Sequence, residues 1–278
     1  KFLEIWEKIK FHTRYSVSYE TDELVTLAAK AVRNMPETQK PTIKSTKKKV
    51  LITNEGVDGL LVSDSVNDDY GNGFEIPDML GYVQAKTELT RSTILEILKK
   101  SGRLSELLLN PQLFMDNAVT AVKSELYQLM VDGIKYEKIG GSWYEMTLFD
   151  DNGFEIYLDN FTHHVKDPEK TVYENYIPLD SSVENKFAKD CESSENIEFY
   201  FKLPPLFKIN TPIGTYNPDW AIVFKGEKKV YFVAETKGED QELRPSERMK
   251  IYCGKAHFKQ FADVRFKGPV SSVSELID

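Results

Sequence analysis

Hydrophobic and polar positions along this chain follow two rhythms, the helical period and the period-two alternation of strands, and the changes between them mark its elements. Phe2, Ile5, Trp6 and Ile9 recur at helical spacing, and Phe11 to Tyr19 alternates as a strand. Thr21-Asp22-Glu23 caps a helix running from Glu23 to Asn34, which Pro36 ends. Lys40 to Lys49 reads as a solvated loop with five lysines, ahead of an apolar strand Val50-Leu51-Ile52 and a strand pair between Gly56 and Val66. Phosphate contact is the functional alternative for those lysines. From Thr90 the pattern is helical again through Ile94, Leu95, Ile97 and Leu98 to Gly102, continues over Leu104 to Leu109, and after Pro111 resumes from Leu113 to Ile134. Gly140-Gly141 reads as a boundary, and Trp143 to Phe149 with Phe154 to Leu158 as a hairpin turning through Asp150-Asp151-Asn152-Gly153.

The last hundred residues are the most regular. Ser181-Ser182 caps a helix, Val183 to Asp190, with Val183, Phe187 and Cys191 on one face and Glu184 one step round. Asn196 to Leu203 alternates with Ile197, Phe199, Phe201 and Leu203 inward, and Pro204-Pro205 ends it. Thr211 to Tyr216 is a turn. Two apolar runs follow, Trp220 to Phe224 and Val230 to Ala234, with Lys225-Gly226-Glu227 as the connection of a hairpin. A helix from Arg248 to Phe261 and a strand from Val264 to Phe266 complete the order helix, three strands, helix, strand.

The hairpin carries the chemistry. Asp219 lies at the mouth of its first strand and Glu235 at the end of its second, so closing it brings together two acids with fifteen residues between them in sequence. Lys237 shares a strand face with Glu235, and Thr236 points away. Two carboxylates and a lysine at strand ends suit a divalent cation and an activated water; the competing structural reading is an ion-paired strand end.

Composition narrows the setting. The chain has 278 residues, 41% hydrophobic and 29% charged, an ordinary globular balance. No apolar run is long enough for a membrane span, and two cysteines outside any Cys-x-x-Cys pair fit a reducing compartment, so a cytoplasmic protein with buried thiols is expected. The net charge of −8 argues against a surface coated in nucleic acid. Between Lys225 and Pro269, however, eleven Lys and Arg stand against seven Asp and Glu, a basic local balance beside the two acids. The opening at Lys1 in mid-pattern reads as a piece of something longer.

Three other patterns imitate sites. Asp68-Asp69-Tyr70-Gly71-Asn72-Gly73 lacks the third glycine of a dinucleotide loop and the glutamate of a calcium loop, and reads as a turn. Asp78 and Gln84-Ala85-Lys86 repeat the acid-to-lysine spacing with too few residues between them for two strands and a turn. His163-His164 point apart as neighbours, which argues against a shared metal.

With Asp219, Glu235 and Lys237 in that order of elements, the chain resembles the Pro-Asp...Glu-x-Lys nuclease superfamily. Its "SSVENKF", "LPPLFKINTPIGTYNPDWAIV", "VYFVAETKG" and "KIYCGKAHF" segments resemble the carboxy-terminal endonuclease region of the restriction (Res) subunit of type III restriction-modification enzymes. The similarity runs from about Asp180 to Phe266, with Phe2 to Arg33 and Thr90 to Gln112 similar to the same subunit. It implies an α/β fold, a restriction-endonuclease-like core in a mixed sheet flanked by helices. Residues 1–95 would be a mixed α+β region connecting to an absent helicase motor, and residues 96–278 the nuclease domain, with a catalytic core at about 180–268.

The resemblance implies Mg²⁺, with Mn²⁺ able to substitute, held by Asp219, Glu235 and the backbone carbonyl of Thr236. It implies Lys237 as the residue that orients or deprotonates the attacking water and Glu184 as an additional acid. Lys255, His257 and Gln260, with the neighbouring Lys259, become candidates for DNA contact; the competing reading of His257 is packing on Phe258 or Phe261. The expected substrate is double-stranded DNA, and the expected partners are methyltransferase (Mod) subunits and the helicase part of the same Res subunit, in the bacterial cytoplasm. ATP would be used by that motor and not bound here, since no Gly-x-x-x-x-Gly-Lys-Ser/Thr loop occurs. Two alternatives stand beside this reading: a catalytically degenerate scaffold docking a motor to a methyltransferase, and the nuclease domain of another defence or repair helicase-nuclease.

Overall fold

A computed structural model describes residues 1–53, 56–67, 77–149, 162–226, 230–238 and 242–276. The chain packs as two compact units, Lys1–Ser18 with Met130–Asp278, and Tyr19–Leu129. The chain starts in the first unit with α1 (Phe2–Ile9) and β1 (Phe11–Ser16), whose buried Ile5, Trp6 and Ile9 belong to the same core as Phe201, Phe207 and Val233.

The second unit holds α2 (Thr21–Asn34), a two-stranded antiparallel ribbon of β2 (Ile43–Thr53) and β3 (Gly56–Asn67), α3 (Met79–Thr87), α4 (Arg91–Ser101) and most of α5 (Pro111–Asp132). Leu24, Val25, Ala28, Ala29 and Val32 line the buried face of α2, which packs on α4 through Ile94, Ile97 and Leu98. Thr90 caps α4 by accepting from the Thr93 N–H at 3.2 Å, and Gly102 ends it in the left-handed conformation at φ 76°. The lysine-rich stretch is not a loop: Lys44 to Lys49 lie in β2, and Gly56 to Asn67 is one strand of the ribbon rather than a pair. Three successive lysines, Lys47 to Lys49, followed by Val50 to Ile52 on an exposed ribbon give no strand alternation to find. Asp78 caps α3 and pairs with Arg91, so its spacing to Lys86 is a helix with its cap.

In the first unit β4 (Lys135–Trp143) pairs antiparallel with β1. Gly140-Gly141, expected as a boundary, instead lies inside β4, where the register slips: Thr13 faces Lys138 but Phe11 faces Trp143. Gly141 has φ 72°, which a bulge of this kind accommodates most readily with glycine. Trp143 to Phe149 is not a strand, since β4 ends at Trp143 and Met146–Phe149 forms a 3₁₀ turn. The expected turn at Asp150–Gly153, its strand Phe154 to Leu158, the Asp68–Gly73 turn and Glu227 lie outside the described residues.

After a small ribbon of β5 (Thr162–His164) and β6 (Tyr176–Pro178), the chain forms α6 (Ser182–Ser193), β7 (Ile197–Lys202), a hairpin of β8 (Ile209–Thr211) and β9 (Gly214–Tyr216), then β10 (Trp220–Phe224), β11 (Val230–Thr236), α7 (Pro245–Phe258) and β12 (Val264–Val270). The mixed sheet has the order β12-β11-β10-β7. Neighbours are antiparallel except β11 and β12, which are parallel because α7 carries the chain back across the sheet.

Both faces of the sheet are covered, and β10 is buried along its whole length. Ala221 and Val223 face the core that includes Ile251 and Phe258 of α7, and Trp220 and Ile222 face the core that includes Phe187 and Cys191 of α6. The strand expected with Ile197, Phe199 and Phe201 all inward on one face is corrected here. A bulge opposite Val223 and Phe224 turns Ile197 to the α6 side, while Phe199 and Phe201 stay on the other. Tyr200 and Lys202 are buried too, on the α6 side. Both cysteines are free and buried, and among the described residues no helix is long and apolar enough to cross a membrane.

Candidate active site

Asp219 precedes β10 by one residue and Glu235 lies one residue from the end of β11. The antiparallel register sets Trp220 opposite Ala234, and the Asp219 N–H donates to the Ala234 carbonyl at 3.1 Å, so the pairing fixes both acids at one end of the sheet. The convergence expected from the hairpin is present. Asp219 Oδ2 accepts from the Thr236 N–H at 2.8 Å and from the Thr236 hydroxyl at 2.6 Å. Glu235 Oε2 accepts from the Tyr216 hydroxyl at 2.7 Å. Among the described residues, each carboxyl thus engages the protein through one oxygen and leaves the other without a protein donor.

The electrostatics of the pair are unfavourable as they stand. Burial raises the Asp219 pKa to about 6; the Thr236 hydrogen bonds pull it back, the Glu184 charge raises it and Lys202 lowers it. Burial also raises Glu235, to about 8, reinforced by the Asp219 charge, opposed by the Tyr216 hydrogen bond, raised further by Glu184 and lowered by Lys237. Two carboxyls that repel each other in a desolvated place, each with an unengaged oxygen, form the hard oxygen donor set that a small divalent cation takes.

Lys237 follows β11, its N–H donating to the Val270 carbonyl at 2.9 Å and its ammonium standing 3.4 Å from Glu247 at the start of α7. Arg244 also holds Glu247, which pulls the Glu247 carboxyl down to about 2. Strand alternation keeps Glu235 and Lys237 on the α7 side, with Val233 of that core.

Glu184 has protein partners of its own. It lies buried on the inner face of α6 with Phe187, Ala188 and Cys191, not one step off it, and its carboxyl accepts from the Lys202 ammonium at 2.6 Å and the Asp180 N–H at 2.9 Å. Its charge is felt by Asp219 and Glu235, yet among the described residues no three His, Cys, Asp or Glu side chains gather as a ready metal cage.

The four residues suggested for DNA contact separate. Lys255, Lys259 and Gln260 are exposed and line a hollow of about 460 Å³ with Tyr252 and Lys135. His257 is buried, its Nδ1 2.8 Å from the Thr13 hydroxyl and its ring against Tyr136, Phe258 and Phe261. Burial, aided by the Lys138 charge, lowers its pKa to about 3. The packing reading of His257 is the correct one, and a neutral core ring offers nothing to a phosphate. His163 is buried against Glu192 at 3.0 Å while His164 is exposed, so the histidine pair shares no ligand.

Sequence reasoning missed two residues, Tyr216 and Lys202. Tyr216 looked like part of a turn, but it is the donor that holds Glu235, and its ring occupies space that only the glycine at 254 leaves free: a Cβ there would overlap the ring. Likewise a Cβ at Gly268 would come within 2.6 Å of the Glu235 Cβ. Gly254→Ala is expected to destabilise the chain by about 1–3 kcal/mol through overpacking, read as a lower urea midpoint. An unchanged midpoint would show that the Tyr216 ring is free to move. Lys202 could have been noticed as the one basic residue of a strand that is otherwise apolar or aromatic except at Glu198.

Searches of curated proteins and of solved structures return no match for this chain. Residues 169–273, the segment from just before β6 to just past β12, match the model of a family described as an endonuclease domain, which supports a restriction-endonuclease-like domain and nuclease activity there.

Proposed function

We propose that this chain supplies the cutting domain of a type III restriction enzyme's Res subunit, a Mg²⁺-dependent endonuclease acting on double-stranded DNA in the bacterial cytoplasm. The observation that carries the reading is the pair Asp219 and Glu235, brought to one sheet end with an unengaged oxygen on each, inside the segment that matches an endonuclease domain. Asp219, Glu235 and the Thr236 carbonyl would hold the cation. When bound, Mg²⁺ would lower the pKa of a coordinated water and offset charge developing on the phosphate.

The chain's own groups do the rest. Thr236 and Tyr216 hold one oxygen of each acid and leave the other without a protein donor among the described residues. Lys237, on the same strand face as Glu235, orients the attacking water and balances charge near the phosphate. Lys255, Lys259 and Gln260 are the exposed groups available to the DNA backbone, with the helicase part and Mod subunits supplying motion and site choice. Residues 1–95 are proposed to connect to that helicase part.

A second reading, a silent docking module, draws on the engagement of Glu184 by Lys202. One experiment separates the two. In the assembled restriction complex, Lys237→Ala is expected to slow DNA cutting by about 10²-fold or more, the scale of a lost proton-transfer group, while ATP hydrolysis continues. Cutting at the wild-type rate would favour the docking module.

A further inference from the structure

Lys202 is the last residue of β7, directly across from Trp220, and is buried on the α6 side of the sheet. Its ammonium lies 2.6 Å from Glu184 Oε2 and 2.6 Å from Asp180 Oδ2. Asp180 is largely exposed and Glu184 is not, so the dry contact is the one with Glu184. The same Glu184 oxygen also accepts from the Asp180 N–H, which ties it to the start of α6. Strand alternation puts Lys202 and Glu235 on opposite sides of the sheet, and Asp219, at the strand mouth between them, feels the charge of both Glu184 and Lys202. A buried carboxylate already matched by a fixed ammonium presents little net charge to an incoming cation.

We infer that Lys202 takes the charge position that a second cation would otherwise fill, holding Glu184 off the metal so that the centre binds a single divalent ion through Asp219 and Glu235. This deepens the nuclease reading and rests on it. Lys202 is then a positioning residue, and Glu184 contributes through Lys202 rather than as a ligand.

Mn²⁺ binding, read by calorimetry and by the electron paramagnetic resonance of free ion, tests the assignment without any activity measurement. The wild-type chain is expected to bind one ion, and Glu184→Gln, which keeps an acceptor for Lys202, to bind it within about threefold of wild-type affinity. Glu235→Gln is expected to weaken it by about tenfold or more, since losing a ligand costs at least what losing a ligand's orienting partner does. Lys202→Met is expected to admit a second ion, and Lys202→Arg to remain at one. Circular dichroism establishes that each variant is folded; should Lys202→Met not fold, the Glu184→Gln and Glu235→Gln contrast decides alone. Two ions in the wild-type chain, or a loss with Glu184→Gln matching that with Glu235→Gln, overturns the inference and leaves the nuclease reading standing. No Mn²⁺ bound by the wild-type chain overturns both.

Discussion

Asp219→Asn and Glu235→Gln should each reduce DNA cutting by about a hundredfold or more, the scale on which single groups that stabilise developing charge act. The same substitutions should raise the melting temperature of the metal-free chain. Each acid is held in a desolvated place beside another negative charge, which is why both pKa values stand high. Above the ordinary carboxylate range the folded chain must either hold a proton on each acid or bury its charge beside the other, and a neutral amide removes that cost. Loss of activity with gain of stability is the signature of residues retained for chemistry rather than for folding. Melting curves in a chelator and plasmid cutting in Mg²⁺ check both halves. A fall in metal-free melting temperature would mean that the acids are structural ion-pair partners, and the catalytic assignment would lose its main support.

Mn²⁺ affinity should climb by up to about tenfold per pH unit per proton displaced as pH rises from 6 to 8, because a cation must displace the protons the two acids hold. The direction follows from Glu235. Its folded pKa, about 8, lies above the ordinary carboxylate range, so the folded chain keeps a proton that the unfolded chain has lost. That contribution to stability is full below the unfolded pKa and is lost as pH rises through about 8; Asp219 behaves alike through about 6. The metal-free chain should therefore melt lower at pH 8 than at pH 6, and Mn²⁺ should raise the melting temperature more at pH 8. Titration calorimetry and melting curves at the two values check this. A metal affinity that is flat with pH would place the cation away from these acids.

Local signals were legible where one rule acted alone. The cap at Ser181 and the left-handed stop at Gly102 follow from backbone hydrogen bonds and sterics within a single turn. The strand Trp220 to Phe224 is an unbroken apolar run because both of its faces are covered, and the meeting of Asp219 with Glu235 needed only the hairpin register. Readings failed where a second element chose between options. Gly140-Gly141 is a bulge and not a boundary because β1 pairs across it. His257 is a core residue and not a DNA contact because Tyr136 and Thr13, more than a hundred residues upstream, close over it.

The amino-acid sequence by itself determined the short-range part of this protein: the Ser181 cap of α6, though not the expected one at Thr21, which lies inside α2, the apolar strands, and two acids with a lysine at the ends of a hairpin. These depend on neighbours within one turn or one strand pair, where periodicity and backbone sterics leave few choices. Tertiary structure alone decided the electrical character of the site. Whether Glu184 points to a cation or to Lys202, and whether a lysine that strand alternation placed outward is buried, depends on which helix covers which face of the sheet. That covering also removes water from Asp219 and Glu235, and desolvation is the largest cause of their raised pKa values.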